Sequence, residues 1–402
     1  MNCSQEYFLN LLSSQINNME VPVYREEIDW NEIYKLADIH NLIVITFSAV
    51  NKLQGEFKPP SEIYSKMKNK FLLYIQHSTV IENYAEKLIN NFKKEKLDHI
   101  IIKGYVLKDY YPSPEYRSMS DIDILIKPDD REKSHEIMLK LGYKNSIKDS
   151  NVWDYRKNKS YIEIHTSLIE NEFKEDVNLK EYFSDAWSHI ERFRGENCYI
   201  LDKEYHLIYN LVHIAKHFYN CGCGVRMIMD IAVYINKFGD RLDWNYIWNE
   251  LEKLDLKLFT ENILILCNKW FDTKIDFSYD IEQDFYNKLC ENILLGGTFG
   301  FNNSNFRIAK IRNDIKNDQQ DYRSSLINTL RCMIFPPYEE LIKINRYSFL
   351  KDRKYLIVFA WIYRWFDQIK SRGMSSIGYI LSILKSNKKI DEQKDTMNKL
   401  GL

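Results

Sequence analysis

Near residue 98 the spacing of apolar residues changes from three and four to two, and near residue 200 it changes back, so an extended segment must lie between two helical ones. Helical spacing runs through "YFLNLLSSQI", "WNEIYKLADIHNLIVITFSAV" and "IYSKMKNKFLLYIQHSTVIENYAEKLINNFKKEKL", with Pro59 and Pro60 punctuating the second and third. "HIIIKG" then reads as a short buried strand ending at Gly104, and "MSDIDILIKP" as a strand stopped by Pro128. The pattern predicts adjacent strands over 98–103 and 120–127, with Glu163 on a third strand beside them. "DDREKSHEIMLKLGY" predicts a helix, acidic at its start and closed by Gly142, and "NVWDYR" and "SYIEIHTSL" predict a hairpin joined by "KNK". Helical spacing returns in "EYHLIYNLVHIAKHFYN", "VRMIMDIAVYINKF", "WNYIWNELEKL" and "LFTENILILCNKWF", and a last unit holds "CMIFPPYEELIKI" and "YLIVFAWIYRWFDQIKS". The expected organisation is α+β: a helical region over 1–95, a mixed sheet of four or five strands with flanking helices over 96–200, a helical domain over 201–385, and a polar tail over 386–402 that frays.

At 402 residues the chain is long enough for two or three compact units. Lysine plus arginine (56) nearly cancel aspartate plus glutamate (57), so no overall field draws the protein to a long nucleic acid or an anionic membrane. Seven scattered cysteines point to reduced thiols. Cys221 and Cys223 are close, but a zinc site would need two more ligands, and loop thiols are the simpler reading. "MNCSQEYFLNLL" lacks the features of a signal peptide, and "YLIVFAWIY" is too short to span a bilayer, so a cytoplasmic protein with no membrane partner is expected.

Asp121 and Asp123 stand on the apolar ladder Ile122, Ile124, Leu125, Ile126. Side chains alternate along a strand, so both carboxylates project from one face, about 7 Å apart along the backbone. Two like charges on a drying strand cost several kcal/mol unless a cation sits between them, and magnesium with oxygen ligands is the natural neutraliser. A solvated strand edge is the alternative for a bare D-x-D. Around it stand Lys103 and Gly104, where glycine lets backbone approach a phosphate, and Arg117, suited to a phosphate contact. Glu163 supplies a third carboxylate on a neighbouring strand. Carboxylates, a glycine turn and cations together are what two-metal phosphoryl or nucleotidyl transfer requires.

"IIKGYVLKDYYPSPEYRSMSDIDILI" resembles the glycine turn and D-x-D strand of the DNA polymerase β type nucleotidyltransferase superfamily, and more narrowly the bacterial family of uncharacterised nucleotidyltransferases. The resemblance continues through "YIEIHTSL", "LVHIAKHFYNCGCGVRMIMDIAVYI" and "FPPYEELIKINRY", over roughly residues 90 to 370. It implies a nucleotidyltransferase mixed sheet, with Asp121, Asp123 and Glu163 as metal ligands and Gly104 as the turn glycine. Tyr105 departs from the pattern, since many superfamily members carry a second small residue there. The serine-type triphosphate contact is thus missing, and Lys103 or a downstream cation would replace it.

Downstream, the order Lys216, Arg226, Asp230 resembles that of abortive-infection and toxin nucleotidyltransferases. It implies Lys216 as a triphosphate ligand, Arg226 in the same cleft, and Asp230 as an orienting group or base. A surface lysine and an Arg226/Asp230 helix salt bridge are the plain alternatives. His206, His213 and His217 share nearly one helical face, and His213/His217 have the spacing of a metal pair, although core or cleft histidines are the simpler reading. The expected activity moves a nucleoside monophosphate from a nucleoside triphosphate to an acceptor hydroxyl, with two magnesium ions, or manganese, as cofactor. The acceptor is open among a small molecule, a protein side chain and a tRNA end. A silent nucleotide-binding or toxin-associated module and a kinase-type phosphotransferase are the alternatives.

Overall fold

The computed structural model describes residues 1–24, 27–147, 151–169, 173–174, 177–275, 279–298, 331, 334–342, 345–350, 353–372 and 387–402. Met1–Asn303 with Leu400–Leu402 form one compact unit and Ser304–Lys399 a second, so the changes of element type near 95 and 200 fall inside the first unit. The boundary expected at 385/386 lies outside the described residues, as does Cys332.

The first unit opens with α1 (Cys3–Ile16), whose start is fixed by a capping box between Asn2 and Gln5. The run "WNEIYKLADIHNLIVITFSAV", with its helical spacing, forms two helices, α2 (Trp30–Ile39) and α3 (Ile43–Val50). The chain breaks at Asn41, in the left-handed region at φ 55°, a conformation that asparagine tolerates better than most residues. After Pro60 comes α4 (Ser61–Lys94), 34 residues long.

The sheet then alternates with short helices: β1 (His99–Ile102), α5 (Gly104–Leu107), β2 (Ile122–Ile126), α6 (Arg131–Lys140), β3 (Lys144–Ile147), β4 (Val152–Lys157), β5 (Ser160–His165), α7 (Leu179–Tyr182), β6 (Ile190–Arg192) and β7 (Cys198–Leu201). Among the described residues seven strands form one mixed sheet in the order β3-β4-β5-β2-β1-β7-β6, more than the four or five expected. The additional strands β3, β6 and β7 have three or four residues each, too few to show a period. The expected hairpin is β4/β5, which turns between Lys157 and Ser160 with Asn158 at φ 52°. β2 runs antiparallel to β1 and parallel to β5, and β1 runs parallel to β7.

Every residue of β1 and β2 is buried. Ile122, Ile124 and Ile126 face a core shared with Ile81, Ala85 and Phe92 of α4 and with Ile137 and Met138 of α6. The alternation that buries these isoleucines turns Asp123 to the opposite face. On that side the chain continues as α8 (Lys203–Asn220), capped by Asp202, and α9 (Val225–Phe238). Cys221–Gly224 joins them, with Gly222 at φ 107°, and the thiols of Cys221 and Cys223 donate to the Gly222 and Gly224 carbonyls. α10 (Trp244–Lys253), α11 (Lys257–Phe271) and α12 (Gln283–Gly296) follow. They tie back to the first helices: Asn17 donates to the Phe271 carbonyl at 2.8 Å, and His40 Nε2 meets the Leu294 carbonyl at 2.9 Å.

In the second unit, Tyr338–Leu341 and Ile357–Arg372 are helical, and a small core gathers Leu341, Tyr347, Leu350 and Ala360. Asn387–Leu400 is a helix where polar composition predicts a frayed tail, and Thr396 and Met397 on it are buried, which a frayed tail would leave in water. No helix among the described residues is long and apolar enough to cross a membrane.

Candidate active site

The sheet register places the carboxylates. Asp123 lies opposite Ile102 on β1 and Glu163 on β5, while Asp121 immediately precedes β2. Lys103, the residue after β1, sends its ammonium to Asp123 Oδ1 at 2.6 Å. His165, two residues beyond Glu163 on the same face of β5, brings Nε2 to the same oxygen at 2.9 Å and to Glu163 Oε2 at 3.4 Å. Sequence reasoning passed over His165. The period of two in Tyr161-Ile162-Glu163-Ile164-His165 was the signal that it shares the carboxylate face.

Ligand atoms of Asp123, Glu163 and His165 all lie within 4.8 Å of one another, an arrangement that could hold a metal ion. The cluster is electrostatically uneven. Burial pushes the Asp123 carboxyl up, but Lys103 and His165 outweigh it and hold the group well below the usual range. Asp121 moves the other way: burial raises its carboxyl, Asp123 and Glu163 add to the rise, and Lys103 and Arg117 only partly oppose it. Burial lowers His165 and Lys103 opposes its charge, yet hydrogen bonds that Asp123 and Glu163 accept from it leave it raised.

Arg117 and Asp230 meet across the opposite side. Arg117 Nη2 donates to Asp230 Oδ2 at 2.9 Å and Nε to Oδ1 at 3.1 Å, while Tyr111 donates to Oδ1 at 2.6 Å. Asp230 therefore pairs with Arg117 rather than with Arg226 one helical turn away. Both of its carboxylate oxygens accept from these donors. Arg226 donates to the Ser118 carbonyl at 3.1 Å and lines the same cavity; burial and the neighbouring Arg117 lower its pKa to about 10.

Gly104 lies against Arg117 in the cavity lining. A Cβ there would stand 2.5 Å from Arg117 Nη1, so the missing side chain makes room for the guanidinium. The strained backbone belongs to its neighbour: Lys103 sits at φ 57°, ψ −133°.

α8 closes the cavity with Asn210, His213 and His217, and α9 contributes Arg226, Met227 and Asp230. The enclosed volume is about 240 Å³. His213 and His217 face each other, Nε2 to Nε2, at 3.2 Å. Burial keeps them neutral, with Lys103 and Lys216 adding to the effect; His217 falls to about 4. Asn210 is 6% exposed and its Nδ2 has no hydrogen-bond partner among the described residues. Lys216 does not line the cavity. Consecutive helical residues are turned by about 100°, so the face that presents His217 carries Lys216 round to one side. His206 lies deeper, between the rings of Tyr110 and Tyr234, where burial lowers it to about 4. The structure thus gathers Lys103, Gly104, Arg117, Asp121, Asp123, Glu163, Arg226 and Asp230 round one cavity and leaves Lys216 outside its lining.

A mixed sheet carrying this carboxylate set is one of the forms a nucleotidyltransferase takes, and the comparison with protein families agrees. Residues 26–272 match the model of the family described as uncharacterised nucleotidyltransferase, and the chain belongs to that family. No curated protein matches. Among solved structures, the chain matches the antibiotic-resistance factor ANT(2'')-Ia, a solution structure described as revealing substrate-regulated conformation dynamics. The identity is 12% and the TM-score 0.32, over 44% of this chain and 96% of that one.

Proposed function

We propose that this protein is a metal-dependent nucleotidyltransferase that moves a nucleoside monophosphate from a nucleoside triphosphate to an acceptor hydroxyl. The observation that carries this reading is the register of Asp123 against Glu163, with Asp121 beside them, in a cavity that also holds Arg117 and Arg226. The donor set fits a hard divalent cation: Asp123, Glu163 and His165 form one cluster with Asp121 on the same cavity, and the rise in Asp121, caused by burial and then by repulsion from Asp123 and Glu163, is one that a cation would relieve. Asp123 and Glu163, with His165 in the same cluster and Asp121 beside them, would hold magnesium or manganese. Such ions lower the pKa of an attacking hydroxyl and stabilise a leaving pyrophosphate.

The chain's own groups do the rest. Arg117, oriented by Asp230 and Tyr111, presents its guanidinium beside Gly104 toward the phosphates, and Arg226 and Lys103 add positive charge there. The acceptor oxygen forms a bond to the α-phosphorus while the bond from that phosphorus to the β-bridging oxygen breaks, releasing pyrophosphate. Asp121 has one side-chain hydrogen bond among the described residues, from Ser120 at 3.2 Å, which leaves it placed to receive the hydroxyl proton. Apolar Leu107, Ile214, Met227 and Ile231 limit water in the cavity.

The test is product analysis with magnesium and each nucleoside triphosphate, against small-molecule, protein and tRNA acceptors. Pyrophosphate and a nucleotidylated acceptor support the reading. A nucleoside diphosphate would instead mean kinase-type transfer, and binding with no product would mean a silent nucleotide-binding module.

A further inference from the structure

Lys103 carries two features that a simple phosphate ligand does not require. The first is its backbone, at φ 57° and ψ −133°, a region that side chains other than glycine's adopt only under strain. The second is where that backbone aims the side chain: 2.6 Å from Asp123 Oδ1, the oxygen that also meets His165 at 2.9 Å. Asp123 is 4% exposed, so this contact lies inside the cavity and not on its rim. A divalent cation sits about 2.0–2.6 Å from its oxygen ligands, within the space that the ammonium fills. Two cations at such a distance repel, and a lysine stem is flexible enough to carry its charge elsewhere.

We propose that Lys103 is the resident counter-cation of the carboxylate site, which a divalent metal displaces from Asp123, and that the freed ammonium moves onto the incoming phosphates. The inference rests on the metal-dependent reading above. It makes metal and polyphosphate a coupled pair: metal alone competes with the lysine, whereas polyphosphate gives the lysine a new partner and so favours metal entry. Coupling of this kind is reciprocal.

The experiment titrates Mn²⁺ into the full-length protein by electron paramagnetic resonance, alone and with inorganic tripolyphosphate, a probe independent of base identity. Lys103→Gly removes the ammonium and relaxes the backbone; Lys103→Met removes the ammonium and keeps the stem; Lys103→Arg keeps the charge. Glycine and methionine variants should bind Mn²⁺ alone about tenfold more tightly than wild type and Mn²⁺-dependent tripolyphosphate about tenfold more weakly, within the usual range of coupling. Lys103→Arg should stay near wild type for Mn²⁺ alone. If wild type binds Mn²⁺ with tripolyphosphate but the uncharged variants bind Mn²⁺ alone no more tightly, the counter-cation role is overturned and the metal site stands. If wild type binds Mn²⁺ under neither condition, the metal-dependent reading falls and the role of Lys103 with it.

Discussion

On the helical side of the cavity Arg117 meets Asp230 through two hydrogen bonds and Tyr111 adds a third, so a buried charge pair is closed on itself. On the sheet side Asp121, Asp123 and Glu163 share Lys103 and His165, and Asp121 is left with its carboxyl raised. Both sides bury ionisable groups a few ångströms apart, yet one is balanced and the other carries surplus negative charge. A closed pair holds geometry. An open cluster stores a demand for a cation, which is what a site for metal and triphosphate needs before its ligands arrive.

The largest effect should come from the open side. Asp123→Asn should lower kcat by about 10²–10³-fold, as loss of a central electrostatic group does. It also takes the negative charge from beside Lys103 and His165, costing roughly 3 kcal/mol in the metal-free fold. Asp121→Asn should be as damaging to turnover but no less stable than wild type, since it relieves repulsion. Paired pyrophosphate-release assays and denaturant melts read both; equal stability losses would erase the distinction between the two aspartates.

Breaking the closed side should be felt first in stability. Arg117→Met leaves Asp230 buried with Tyr111 as its hydrogen-bond donor among the described residues and should cost about 3–5 kcal/mol. A urea midpoint within error of wild type would show that the pair does not hold the wall.

The same wall keeps buried histidines neutral, which gives the comparison a pH dependence. His206 titrates near 4 in the fold against about 6.5 when unfolded, so its contribution is fully present above pH 6.5 and is lost as pH falls toward 4. The loss should reach about 2 kcal/mol at pH 5, and His206→Phe should flatten the stability profile by that amount. An unchanged slope between pH 6.5 and 4 would assign the acid sensitivity to other groups.

Gly104→Ala tests the seam between the two sides. Its Cβ would stand 2.5 Å from Arg117 Nη1, and the displacement should cost about 1–3 kcal/mol and raise the KM for triphosphate. The smallest effect should be that of Lys216→Ala. Turned away from the cavity lining, Lys216 should change KM by no more than about twofold, the scale of a substitution away from a site. A tenfold rise would restore it as a phosphate ligand.

Much of the carboxylate side is legible in the sequence because a period of two states which residues share a face. The ladder around Asp121 and Asp123 and the run around Glu163 needed only to be laid in register. His165 was legible in the same run and was passed over. The helical side is much less legible. Arg117 and Asp230 are 113 residues apart, and the spacing of Arg226 and Asp230 suggests a local pair that the fold does not make. Helical spacing also could not decide between Lys216 and His217 as the residue facing the cavity, because packing against the sheet sets the rotation of α8. Gly104 was legible as a turn, but its neighbour Arg117 is what explains it.

The pairing of β1 with β7 has a consequence for how the protein is made. Asp98 and Asn197, which hydrogen-bond beside this pairing, are 99 residues apart, and Asn17 waits 254 residues for its partner Phe271. At roughly 5–20 residues per second of synthesis, β1 stays without its parallel neighbour for about 5–20 s after it is made. During that interval a strand with three consecutive isoleucines exposes one edge to any other nascent chain. The cavity's floor can form before its wall exists, because β2 and β5 precede α8 and α9. The cavity can therefore be completed only after α9 has been made, and slow or crowded translation should reduce the yield of folded protein more than the specific activity of what folds.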